Sequence, residues 1–104
     1  MFRIKIESHV IRFLKKLGKK EKDYFYERFE KLRHDKTGYR LLDVSKNIEL
    51  WELRCSAHRV YYTVEHGVIV IEDIEYEGDI FIADYSCKDD QQQVFNRLKQ
   101  KIRK

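Results

Sequence analysis

The chain has 104 residues, no proline, 6 Phe, 7 Tyr and 1 Trp, and a formal net charge of +4. That length makes one domain, 1–104, able to bury a core without disulfide or metal staples. No apolar run reaches the ~18 residues a membrane-spanning helix needs, which excludes an integral helical membrane protein.

The charge is segregated. Residues 1–40 carry 13 Lys and Arg against 6 acids, and residues 91–104 carry 5 against none. Residues 69–90 carry 1 against 8. Attraction for a polyanion must therefore come from particular faces, because the overall field is weak. Most single charges in such a pattern are solvated surface.

Residues 2–7 alternate as a strand, with Phe2, Ile4 and Ile6 on one face and Arg3, Lys5 and Glu7 on the other. This start lacks the apolar block of a signal peptide, so a cytoplasmic protein is expected. Ser8 is a candidate N-cap for a helix with Val10, Phe13, Leu14 and Leu17 at helical spacing, stopped by Gly18. A second helix is predicted from about Lys20 to His34, with Phe25, Phe29 and Leu32 as its apolar stripe. Residues 39–47 read as a connection.

From Ile48 to Glu75 apolar and polar residues alternate in runs, broken at Cys55-Ser56-Ala57-His58 and Glu65-His66-Gly67. The spacing predicts a three-strand meander near 48–55, 59–65 and 68–76. Ile80 to Tyr85 reads as a last strand or buried loop. A final helix begins near Asp89 or Asp90, with Val94, Leu98 and Ile102 on one face. The order predicts an α+β domain: the N-terminal strand and a two-helix hairpin packed on one face of a mostly antiparallel sheet, with a C-terminal helix. The other sheet face is expected to be open.

Arg54 and Arg59 flank the first meander turn. Guanidinium groups bind phosphate bidentately and stay charged, so the pair suits a phosphodiester. A cross-strand pairing with Glu52, Glu65 or Glu72 is the equal alternative. His58 titrates near neutral pH and suits a general acid or base, against an ordinary solvent-exposed turn histidine. Tyr61, Tyr62, Tyr76 and Tyr85 can stack on bases, although strand tyrosines more often pack. Trp51 is expected in the core beside Leu53. Lys15, Lys16, Lys19 and Lys20 form the densest basic run, suited to an RNA backbone or to a solvated helix turn. Cys55, Cys87 and the four histidines show no metal-ligand spacing, and no Walker loop, dinucleotide fingerprint or nucleophile elbow occurs. No metal and no cofactor are expected.

Three segments together resemble the RelE/ParE toxin superfamily, in its RelE/HigB-like branch of type II toxin–antitoxin modules. They are Phe2-Arg3-Ile4-Lys5-Ile6, Phe13-Leu14-Lys15-Lys16-Leu17, and Leu50-Trp51-Glu52-Leu53-Arg54 followed by His58-Arg59-Val60-Tyr61-Tyr62. The resemblance implies a ribosome-dependent endoribonuclease that cuts mRNA without a metal and is neutralised by a cognate antitoxin. Its alternative is a gyrase-directed or non-catalytic binding module on the same fold. It also implies catalytic roles for Arg54, Arg59 and Tyr85, the last falling where several members carry a C-terminal tyrosine, and His58 joins them as the catalytic candidate its titration range suggests. Two departures stand out. The stretch Glu72 to Asp79 holds no Lys or Arg where members often carry a basic cluster, and the strand before Arg54 offers Leu50 and Glu52 where others carry lysines.

Overall fold

The computed structural model describes residues 1–76. The predicted segment 80–85 with Tyr85, the helix from Asp89, and Glu77, Asp79 and Cys87 lie outside the described residues. The elements are β1 (Arg3–Ile6), α1 (Ser8–Lys15), α2 (Lys19–His34), β2 (Arg40–Ser45), β3 (Ile48–Cys55), β4 (His58–Glu65) and β5 (Val68–Tyr76). The strands form one sheet in the order β1-β5-β4-β3-β2. Among the described residues β1 runs parallel to its neighbour, β5, and the other pairings are antiparallel. The helical crossover between β1 and the meander permits that parallel pairing.

Both helices pack on one face, as their periodicity predicts. Val10 and Leu14 of α1, and Phe25, Phe29 and Leu32 of α2, meet Leu53, Val60, Tyr62, Val64, Ile69 and Ile71 of the sheet. Each phenylalanine buried there contributes roughly 2–3 kcal/mol. Trp51 is partly buried against this core and stacks on Tyr62, with ring centroids 6.4 Å apart. The N-cap of α1 is Glu7 rather than Ser8, and its side chain makes no capping bond. His9 anchors α1 instead: its Nε2–H donates to the Glu72 carbonyl oxygen at 2.7 Å.

Two expectations are corrected. Residues 40–45, read as a connection, are the edge strand β2. A register shift between Leu41 and Asp43 inserts Leu42 as an extra residue opposite β3, which breaks the alternation that would reveal a strand. The second sheet face is also not open. Leu50 and Tyr61 form a small apolar cluster there with Leu42 and Ile48, and Glu52, Thr63 and Glu72 on the same face are buried too. Strands β3 and β4 are therefore buried on both faces, which explains the apolar run Val60-Tyr61-Tyr62-Thr63-Val64.

A second bulge shapes this face. Tyr61 lies opposite Asp73 while Tyr62 lies opposite Ile71, so Glu72 is the extra residue of β5. Its carboxylate accepts the Thr63 hydroxyl at 2.8 Å. The β4–β5 turn places both His66 and Gly67 at positive φ, 50° and 76°. That is the type I′ hairpin geometry, which glycine adopts without steric cost.

Candidate functional site

Alternation along β3 and β4 decides which side chains share a face. Arg54 and Arg59 are direct cross-strand partners, and so are Glu52 and Tyr61. All four project onto the face away from the helices. Arg40 of β2 joins them, because its register partner is Glu52. Glu75 of β5 lies opposite Arg59.

Glu52 is the centre of this cluster. It is only 1% exposed, and three guanidinium groups converge on its carboxylate. Arg54 Nε is 3.5 Å from Oε2; Arg40 Nη2 is 3.6 Å and Arg59 Nη1 3.9 Å from Oε1. A buried carboxylate needs such company, since an isolated one carries a large desolvation cost. The guanidiniums differ in exposure: Arg59 is largely buried, whereas Arg54 and Arg40 reach solvent. Besides Glu52, the register places Asp43, Asp73 and Glu75 on the same face. The pairing of Arg54 and Arg59 foreseen as an alternative to phosphate contact is present, and it runs to Glu52.

Tyr39 closes the cluster on its β2 side. Its backbone N–H donates to the Glu52 carbonyl oxygen at 2.7 Å, and the Arg54 guanidinium lies 4.3 Å from its ring centroid. The preceding segment is tightly anchored. The Tyr62 hydroxyl donates to the Lys36 carbonyl oxygen at 2.7 Å, Lys36 Nζ binds Glu49 at 2.9 Å, and the Thr37 N–H donates to Asp35 Oδ1 at 3.0 Å. Glu49 also accepts the Trp51 indole N–H at 2.8 Å, and that bond, with the Lys36 ammonium, lowers its pKa. At Gly38 a Cβ would strike the Tyr62 hydroxyl and stand 2.7 Å from the Glu52 carbonyl oxygen. Only glycine lets the chain pass there.

His58 lies elsewhere. Its register partners are Cys55 and Tyr76, on the helix face, one residue out of phase with Arg59. It is 6% exposed, which corrects the expectation of a solvent-exposed turn histidine. Its ring sits among Phe13, Phe25 and Tyr76, with centroids 5.4, 5.3 and 5.2 Å away. Burial lowers its pKa, partly opposed by Glu21, whose Oε1 is 3.9 Å from Nδ1. The structure thus brings Arg54 and Arg59 together and separates His58 from them by the thickness of the sheet.

Tyr61 and Tyr62 are buried, so both pack rather than stack on a ligand. Burial, reinforced by the Glu75 and Glu52 carboxylates, pushes the Tyr61 phenol up to about 12. Burial likewise pushes the Cys55 thiol up to about 11, which removes it as a thiolate nucleophile near neutral pH. Lys15, Lys16, Lys19 and Lys20 are exposed around the α1–α2 turn. Lys20 shares a cleft with Ser56 of the β3–β4 turn, which Glu21, Asp23 and Glu27 also line, so Lys20 lies at the same end of the molecule as Arg54 and Arg59, on the helix side. The other end of the arginine face is acidic: Glu7, Glu65 and Glu72 line a cleft there with Lys5 and Thr63. Among the described residues no three His, Cys, Asp or Glu side chains gather as metal ligands would.

Sequence reasoning did not single out Arg40, Tyr39 or Gly38, and placed Glu52 only as one pairing partner of several. All four depend on the register of β2 against β3.

No family model and no curated protein sequence matches the chain. Solved structures do. The archaeal RelE–RelB complex from Pyrococcus horikoshii OT3 contains a chain that aligns with a TM-score of 0.69 at 25% identity, covering 74% of this chain and 96% of that one. The isolated E. coli RelE toxin aligns with a TM-score of 0.59 at 12% identity, covering 81% of this chain and 95% of that one, a likeness of fold alone. The chain has the fold of the RelE-like toxin superfamily, as its Leu50–Arg54 and His58–Tyr62 segments imply. Among the described residues no helix is long and apolar enough to cross a membrane.

Proposed function

We propose that this chain is the toxin of a type II toxin–antitoxin module, a ribosome-dependent endoribonuclease that cuts mRNA by metal-independent phosphodiester cleavage in the cytoplasm. The convergence of Arg40, Arg54 and Arg59 on one face of a RelE-like fold carries this reading. In such a reaction the ribose 2′-hydroxyl loses its proton to solvent and attacks the adjacent phosphorus, the bond to the 5′-oxygen breaks to leave a 2′,3′-cyclic phosphate, and the freed 5′-oxygen takes up a proton. Negative charge builds on the non-bridging oxygens. Arg59 and Arg54, held in place by Glu52, meet that charge with preorganised donors. Tyr85 stays a proposed participant in proton transfer, in line with the family resemblance. His58 serves packing in this scheme, because it lies across the sheet from the arginines. The lysines at 15, 16, 19 and 20 hold RNA backbone without reading sequence.

The partners follow from the same face. The Pyrococcus structure is a RelE–RelB complex. By analogy, an acidic antitoxin segment that orders on binding would cover Arg40 and Arg54 and neutralise them.

One observation favours the gyrase-directed or non-catalytic alternative: the three guanidiniums already converge on the Glu52 carboxylate, and Asp43, Asp73 and Glu75 share their face. Expression separates the two. Induced alone, the wild-type chain should arrest growth with shortened transcripts, and Arg59→Ala should relieve the arrest. Arrest with intact transcripts and broken chromosomal DNA would favour the gyrase reading.

A further inference from the structure

We infer that Tyr39 is the nucleobase platform of this site, a stacking residue backed by Arg54 that takes one unpaired base of a bound RNA strand. The inference rests on the nuclease reading above and deepens it, since Tyr61 and Tyr62, two of the tyrosines the sequence offers for stacking on bases, are buried. An aromatic ring of this size usually hides in the core or lies loosely on the surface. Tyr39 does neither. It is 59% exposed, yet its backbone is fixed by the bond to Glu52, and the chain just before it, at Gly38, packs against Tyr62 and Glu52. One face of the ring is occupied by the Arg54 guanidinium. The exposed remainder is open to a flat ligand.

The pairing has a chemical consequence. A base laid on Tyr39 continues a stack whose lowest layer is a cation, and each base has a π-face that accepts such a layer. The same guanidinium sits beside Arg40 and Arg59, so the base and its phosphate are bound by adjacent groups. A phosphate site alone positions a strand without distinguishing where along it the bond is cut. A stacked base next to the arginines fixes which phosphodiester faces them.

A short oligouridylate and an abasic oligomer of the same length present equal phosphate charge and differ only in their bases. Titrated into the full-length protein at low salt, the wild type should bind the base-bearing strand about tenfold more tightly. Tyr39→Phe should keep that preference. Tyr39→Leu should abolish it while leaving affinity for the abasic strand unchanged, because the arginines remain. Survival of the preference in Tyr39→Leu, or an equal loss for both strands, would overturn the platform. Equal binding of both strands by the wild type would overturn it while leaving the arginine site standing. Binding of neither strand would overturn the platform, while the ribosome-dependent cleavage assay decides the nuclease reading separately.

Discussion

Arg54 and Arg59 stand directly opposite each other across β3 and β4, two cations in one cross-strand pair. Like charges so placed are destabilising. Glu52, buried two residues before Arg54, reaches both guanidiniums and Arg40 as well, and so makes the arrangement tolerable. Glu52→Gln should lower stability to denaturant by about 3 kcal/mol, because it removes the carboxylate that the three guanidiniums share. Combining it with Arg54→Ala should recover part of that loss. Equal unfolding midpoints for Glu52→Gln and the wild type would show that the carboxylate does not hold the cluster.

Gly38→Ala tests the anchoring of Tyr39. The added methyl meets the Tyr62 hydroxyl and the Glu52 carbonyl, one of which is backbone and cannot swing aside. We expect a loss of about 1–3 kcal/mol. Tyr62→Phe, which removes only the hydroxyl that bonds Lys36, should cost about 1 kcal/mol. In the double variant the two losses should be less than additive, because the phenylalanine makes room for the methyl. Strict additivity in thermal melts would mean the two groups do not meet.

His58 gives the fold an acid sensitivity. Its folded pKa is lowered by burial, so the unfolded chain binds the proton more readily. By linkage, its contribution is fully present above the unfolded value of about 6.5 and is lost as pH falls from there through the folded pKa. Wild-type stability, followed by denaturant titration between pH 7.5 and 5, should fall more steeply than that of His58→Phe. Parallel curves would show that the imidazole does not titrate with unfolding.

Glu75 faces Arg59 and restrains the local potential. Glu75→Gln should strengthen binding of a short RNA and make log affinity fall more steeply with log salt, by roughly one phosphate contact. Lost stability with an unchanged salt slope would make Glu75 a structural partner only.

The two helices and the meander were legible because their periods are clean: Phe25, Phe29 and Leu32 recur at helical spacing, and Val68 to Ile71 are β-branched without interruption. The strand β2 was hidden by its own bulge at Leu42, which puts two leucines side by side and breaks the two-residue period. The wrong grouping of His58 with the arginines came from treating a turn as a cluster. Alternation across the two-residue turn places Arg54 opposite Arg59 and puts His58 on the other face. Tyr39 was not legible at all. Its position rests on a single long-range bond, from its N–H to the Glu52 carbonyl, and no local pattern announces such a bond. The buried second face was foreshadowed by Tyr61 next to Tyr62, two aromatics that cannot both point into one core.

The most direct measurement is cleavage of a defined mRNA on purified ribosomes, read by mapping the new 5′ ends. The wild-type chain without metal should cut within the codon exposed in the ribosomal A site, and Arg59→Ala should slow that cut by on the order of a hundredfold. Intact mRNA at protein concentrations in excess of the ribosomes, or equal cleavage by wild type and Arg59→Ala, would contradict an arginine-centred nuclease on this sheet face.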